Sequence, residues 1–241
     1  MTSNNEKPIE QLRLFATAPH PCSYLDEEAS TLFIDPEANI DQSTFAYLNE
    51  RGFRRSGLHI YKPNCLNCQA CLSYRVKAND FKPTRSQRRI INKNKDITII
   101  TSSNILTSEH YQLYQKYINT RHKDGDMYPA NQEQYENFLG SHLGHSIYLE
   151  ARHNEDLVAV SIMDDCLTGL SAMYTFFDPT LNARSLGKYM ILKQIEWVKQ
   201  LPNTEHLYLG YWIKNSPKMT YKSNYQPGEV YFNKRWIPLA T

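Results

Sequence analysis

Hydrophobic and polar positions alternate differently in the two parts of this chain, and the elements they predict differ accordingly. Residues 1–20 are polar and read as a weakly ordered lead-in. TLFIDP (31–36) predicts a short strand ended by Pro36, and DQSTFAYLNERG predicts a helix over 43–51, capped by Asp41 or Ser43 and stopped by Gly52. A cysteine-rich loop follows. Alternation over 75–81 then predicts a strand, RSQRRIINKN a helix start, and DITIITS (96–102) another strand. Helices are expected over 107–121 and 131–140. From Ser146 onward the pattern turns strand-rich, with SIYLEAR, LVAVSIMDD and CLTGLSAMYTFF separated by polar breaks. A helix over 185–200 places Tyr189, Leu192, Ile195 and Val198 on one face, suited to packing on a sheet. HLYLGYWI (206–213) reads as a strand, and PKMTYK as a loop or short helix. Strands, a helix opened by a Gly turn, and a strand again give an α+β class with a mixed sheet flanked by helices.

Charge changes this picture more than bulk composition does. The net charge of +2 hides an asymmetry: twelve cations against Asp80 alone from Arg51 to Lys95, but nine acids against two bases in the first fifty residues. So strong a local excess of positive charge implies an anionic partner. The 241 residues, 41% hydrophobic, suffice for a substantial core. No apolar run approaches the ~18 residues that cross a bilayer, and MTSNNEKPIEQL carries no secretory h-region. A cytoplasmic protein without membrane partners is expected.

Five cysteines is an odd number, which argues for reduced thiols or metal ligands rather than a disulfide framework. Cys65, Cys68 and Cys71 form C-x2-C-x2-C, a spacing that lets thiolates reach one tetrahedral ion, and Cys22 is the candidate fourth ligand. A structural zinc site, an iron–sulfur site and a metal-free cluster of thiols all fit the spacing. Cys166 lies in a strand pattern and reads as core.

Arg85, Arg88 and Arg89 share a helix face at i, i+3 and i+4, a like-charge arrangement that costs roughly a few tenths of a kcal/mol per pair. With Arg75 and Arg54-Arg55 nearby, guanidinium forks suited to carboxylate or phosphate stand against the plainer reading of a solvated basic face. The candidate substrate-binding set is Arg75, Arg85, Ser86, Arg88 and Arg89. In RSLGKYM a turn at Gly187 opens a helix whose first N–H groups can seat an anion, with Lys188 adding charge; a plain strand-to-helix turn is the alternative. Most of the dense aromatics beyond Tyr174 must be core, but Tyr221, between Lys218 and Lys222, is placed to stack a base. His142 and His145 read as surface or core, and Asp164-Asp165 as a strand end. No P-loop, G-x-S-x-G or H-E-x-x-H occurs.

PCSYL, GFRRSG, YKPNCLNCQAC, RVKANDFKPTRSQRR, SLGKYMILKQIEW and HLYLGYWIKNSPKMTYK together resemble the arginyl-tRNA–protein transferase family, in the form of its bacterial aspartate/glutamate leucyltransferase branch. The resemblance runs from about Cys22 to Pro227. It implies a GNAT-like fold, with an N-terminal lobe over 1–100 holding the cysteines and basic segment and an acyltransferase lobe over 101–241. It further implies transfer of leucine from leucyl-tRNA to proteins beginning with Asp or Glu, creating a destabilising N-terminus for the N-degron pathway. Ser216 stands where eukaryotic arginyltransferases carry a cysteine, so no thiol is expected to be required there. Tyr189 stands where an acyl-CoA loop needs a second small residue, which disfavours CoA; no organic cofactor is expected. Arginine as donor, a CoA-dependent N-acetyltransferase and a non-catalytic zinc-bound RNA-binding module are the competing readings.

The chemistry suits these residues. An α-amine with pKa near ~7.7–8.0 attacks an activated ester, a step that needs positioning and oxyanion stabilisation more than a strong base. Tyr174, Tyr221 and Lys222 are the candidate catalytic side chains. Gly187, Lys188, Lys218, Tyr221 and Lys222 are the candidate tRNA contacts.

Overall fold

The computed structural model describes residues 12–140 and 145–239. Its elements follow the hydrophobic pattern closely. The first part holds β1 (Leu14–Ala16), β2 (His20–Pro21), β3 (Glu28–Ala29), β4 (Thr31–Ile34), α1 (Gln42–Glu50), β5 (Arg54–Ser56) and β6 (His59–Pro63). Then come β7 (Leu72–Lys77), α2 (Arg85–Lys93), β8 (Ile97–Ser102), α3 (Ser108–Arg121), and α4 (Gln132–Tyr135) with a π turn at Glu136–Gly140. β9 (Ser146–His153), β10 (Asp156–Asp165) and β11 (Gly169–Phe177) form a meander. A 3-10 segment (Pro179–Arg184) leads into α5 (Leu186–Gln200), followed by β12 (His206–Trp212), α6 (Pro217–Thr220), a 3-10 turn (Tyr221–Asn224), β13 (Gly228–Phe232) and β14 (Arg235–Pro238).

Local chemistry explains the boundaries. Asp41 caps α1 by accepting from Thr44 N at 2.8 Å. Thr84 and Gln87 form a reciprocal capping box on α2. The arginines of α2 then face outward while Ile90 and Ile91 pack on the core. Two expectations shift. The lead-in is ordered from Leu14, because β1 pairs antiparallel with β4; residues 1–11 lie outside the described set. The strand expected over 75–81 is displaced to 72–77, because the chain turns back at Ala78–Phe81, where Phe81 N donates to Ala78 O. The β13–β14 hairpin was not read from the sequence. Its turn residues Asn233 and Lys234 both have positive φ, 49° and 61°, a two-residue primed turn lacking the glycine that usually signals it.

Eight strands form one sheet in the order β14-β13-β7-β12-β11-β10-β9-β8, and β1-β4-β6-β5 form a smaller one. Every described pairing in the large sheet is antiparallel except β11–β12, which is parallel. α2 and α5 cover one face around Tyr74, Val76, Leu149, Met190 and Ile195. α3, α4 and the π turn cover the other around Tyr114, Tyr135, Val160 and Phe176. This is the helix-flanked mixed sheet of the expected class. β7 and β8, though within the first hundred residues, belong to the large sheet, so the cysteine loop connects the smaller sheet directly to its centre. Cys166 is buried beside Phe45 and Ile60, as its strand context predicted.

Candidate active site

The parallel contact between β11 and β12 is short: Gly169, Leu170 and Ser171 pair with His206, Leu207 and Tyr208, and then the strands part. β11 runs on to Phe177 and β12 to Trp212, so a V-shaped opening lies between them. α5 starts where β11 ends. Ser185, in the left-handed region at φ 55°, precedes it without any side-chain cap, which leaves the first N–H groups of a fifteen-residue helix open to an anion. Gly187 suits this place: a Cβ there would come within 2.9 Å of the Phe177 ring, which would have to shift for the helix to start against the end of β11. Lys188 next to it is exposed.

Across the opening, β12 carries a bulge between Tyr208 and Tyr211, with Gly210 at φ 77°. The bulge presents the Tyr211 carbonyl to Lys222 Nζ, which donates to it and contacts Met219 Sδ at 3.1 Å. Lys222 is only 5% exposed. Burial, with Arg54 adding repulsion, brings its pKa down to about 8. Tyr221 beside it is 40% exposed. Tyr174, from the β11 arm, packs edge-on against Phe138 at 5.1 Å, and burial raises its phenol well above the ordinary value. Lys218 pairs with Asp124 at 3.3 Å, spanning from α6 to the segment after α3.

The basic segment divides into buried and free cations. Arg55 makes a bidentate pair with Asp164, Nε–Oδ2 2.7 Å and Nη2–Oδ1 2.8 Å, both side chains 1% exposed. Asp164 is thus more than a strand end. Arg54 is buried too, its Nη1 donating to Asn49 and Phe53 oxygens, and its guanidinium lies over the Tyr208 ring at 5.3 Å. Arg75 lies opposite Glu229 in the β7–β13 register and is held by it at 2.7 Å and by Glu50 at 3.2 Å. Tyr208 and Trp236 also donate to Glu50. The run read as unneutralised is therefore neutralised at Arg55 and Arg75 by acids distant in sequence. Arg85, Ser86, Arg88 and Arg89 remain exposed on α2, and among the described residues no carboxylate lies within ion-pair reach of these three arginines. Asn94 Nδ2 donates to Arg184 O, and Arg184 pairs with Asp96 at 2.8 Å. These contacts pin the C-terminal end of α2 beside the start of α5.

The four predicted cysteine ligands gather as well. Cys22 sits in the β2–β3 turn and the other three in the β6–β7 loop; all are half-buried free thiols lining one cavity of about 310 Å³. Burial first, then the neighbouring Cys22, Cys65 and Cys68, push the Cys71 thiol up to about 12. Four soft donors suit zinc or an iron–sulfur cluster in kind. Their positions are not those of a formed site: among the described residues, no group of three or more His, Cys, Asp or Glu is arranged to hold a metal. No chemical step is assigned to a metal. His145 packs against Phe45 at 5.2 Å, whereas His142 lies outside the described residues.

A mixed sheet that splays beside a helix start, with a lysine and aromatics across the gap, is the site of an acyltransferase-like protein. A solved conserved protein of unknown function from Bacteroides thetaiotaomicron has this fold, with a TM-score of 0.50 at 14% identity over 66% of this chain and 57% of its own. The family model for the N terminus of arginine-tRNA-protein transferase matches residues 20–89, and that for its C terminus matches residues 109–232. The chain is 51% identical over 231 residues to the aspartate/glutamate leucyltransferase of Saccharophagus degradans, covering 95% of this chain and 98% of the relative. It is 46% identical over 233 residues to that of Pseudomonas aeruginosa, covering 96% and 99%. The chain belongs to the arginine-tRNA-protein transferase family. It is an enzyme of the aminoacyl-tRNA–protein transferase class, and the acetyltransferase and non-catalytic readings fall away. No helix among the described residues is long and apolar enough to cross a membrane.

Proposed function

We propose that this enzyme moves leucine from leucyl-tRNA to the N-terminal amine of proteins that begin with Asp or Glu, marking them for degradation through a new N-terminal leucine. The observation that carries this reading is the splay of β11 from β12 between the uncapped start of α5 and buried Lys222. The phosphates of the tRNA 3′ end fit the α5 N-terminus, Lys188 and the free arginines of α2. The leucyl ester then enters the splay. The rings of Tyr174, Phe138 and Phe177 on the β11 side supply an apolar seat for its side chain and favour leucine over arginine. The acceptor amine attacks the ester carbonyl, and the ribose hydroxyl leaves. Lys222, its pKa brought down to about 8, stays largely protonated at pH 7, so it supplies positive charge next to the developing oxyanion. Exposed Tyr221 provides a face for the terminal base. We also propose that the four cysteines hold a structural metal, because all four line one cavity.

The acceptor's carboxylate requires a cation, and α2 offers three that are not neutralised. Peptides differing only in Asp or Asn at the first position, tested with tRNAs charged with leucine, arginine and other amino acids, decide the reading. Leucine should be transferred to the Asp peptide with a preference over Asn of roughly 30- to 1000-fold in kcat/KM. Of the variants Arg85→Ala, Arg88→Ala and Arg89→Ala, one should lose that preference and the others should weaken tRNA binding and change its salt dependence. Equal use of Asn and Asp peptides would show that α2 serves the tRNA alone.

A further inference from the structure

His122 belongs to none of the residue sets considered above, yet it lies beside the parted end of β11, linked through Tyr117 to Phe177. It is the C-terminal cap of α3, its backbone N–H held by Ile118 O. Its ring packs on Tyr117 at 4.9 Å. Tyr117 in turn packs on Phe177 at 4.9 Å, at the end of β11. It also lies within electrostatic reach of Tyr221, which follows β12. The Lys218–Asp124 pair joins α6, which follows β12, to the segment after α3, and both groups lie within electrostatic reach of the half-buried His122 ring. Its Nε2 is shielded from solvent and has no hydrogen-bond partner among the described residues. An unpartnered buried nitrogen costs free energy unless something uses it. The charged groups around the ring are Arg121, Asp124 and Lys218; burial first, then Arg121, lower its pKa below the ordinary value, Asp124 opposing and Lys218 adding to the effect. The lowered pKa favours the uncharged imidazole, which keeps one N–H and has one ring nitrogen free to accept a proton.

We propose that His122 accepts the proton that the acceptor's α-ammonium must lose before it can attack the aminoacyl ester. This rests on the transfer reaction proposed above. The ammonium gives one proton to the imidazole, and the freed amine forms the C–N bond. The tetrahedral centre then breaks its C–O bond, the ribose oxygen takes the second proton from the amine nitrogen, and the imidazolium releases its proton to water. Atoms and charge balance: one ammonium and one ester give one amide, one hydroxyl and one proton.

The test is the pH dependence of kcat/KM for an Asp peptide in wild type and His122→Gln, with tRNA affinity and melting temperature measured alongside. Wild type should show a plateau between the His122 pKa and the amine pKa of ~7.7–8.0. The variant should lose roughly 5- to 10-fold at pH 7 and about 20- to 30-fold at pH 6.5, the inverse of the neutral-amine fraction, and recover as the amine itself deprotonates, since an amine that is already neutral needs no base. tRNA affinity should be unchanged. Identical pH profiles for the two proteins overturn the proposal. Nuclear magnetic resonance titration of His122 in the unmodified protein gives a second check: its pKa must match the acidic limb of the wild-type profile, and a mismatch also overturns it. Failure of the proposed reaction would look different, as a wild type that transfers another amino acid than leucine. The His122 comparison is then made with that donor.

Discussion

Lys222 is a cation kept from water with a backbone carbonyl and a thioether as its contacts and, among the described residues, no carboxylate in ion-pair reach. Such a group destabilises the fold while serving the reaction. Below pH 8 the folded protein carries the full desolvation cost; between about 8 and 10.5 the unfolded chain binds more protons, so this contribution to stability rises with pH. Lys222→Met should therefore be more stable than wild type at pH 7 by about 1–3 kcal/mol, losing that advantage near pH 10.5, while transfer falls steeply. Denaturant melts at several pH values, with a transfer assay, check both halves; a variant less stable at pH 7 would contradict the desolvation argument. Arg55 and Arg75 show why sequence alone overcounts free charge. Their partners Asp164 and Glu229 come from strands far along the chain.

At the scale of elements, two short turns bring four thiols to one cavity. Cys22 is placed by the β2–β3 hairpin, where its N–H donates to Glu27 O, and Cys65 to Cys71 by the loop from β6 to β7. Thiols that share one cavity repel one another as thiolates, as the raised Cys71 pKa shows, and a divalent ion offsets that repulsion. The protein purified under reducing conditions should carry about one equivalent of zinc or iron by elemental analysis. Cys68→Ser or chelation should remove it and lower the melting temperature. A metal-free wild type whose melting is indifferent to chelator would leave only a loop of reduced thiols. α2 is the opposite kind of element, its start and its arginine face expected from RSQRRIINKN; the structure adds the Thr84–Gln87 capping box that begins it and the packing of Ile90 and Ile91 on the core.

Over the whole molecule, the smaller sheet and the large one are joined by a buried ion pair. Arg55 on β5 grips Asp164 on β10, and Ser146 on β9 adds a 2.7 Å hydrogen bond to the same carboxylate. Removing one partner strands the other charge away from water, so Asp164→Asn should cost about 3 kcal/mol or more. Arg55→Met combined with Asp164→Leu should recover much of that loss, because both charges leave together. Chemical denaturation of the three variants measures this; a single variant as stable as wild type would mean the pair does not hold the sheets together.

The sequence by itself determined what depends on neighbours along the chain: the cap of α1, the start of α2, the amphipathic face of α5, the strands from β8 to β12, and the basic character of the 51–95 segment. Its long motifs also carried the family. Tertiary structure decided what depends on residues far apart. Register put Glu229 across from Arg75, and so took that arginine out of the free set. The three-residue parallel contact of β11 with β12 opened the site, a feature no periodicity encodes because each strand alternates normally up to the point where they part. Packing of α3 against the end of β11 brought His122 beside that parted end, although nothing next to it in sequence marks it as chemical. Local pattern specifies which faces are apolar; only the closed fold specifies which charges meet and which polar atoms are left unpartnered.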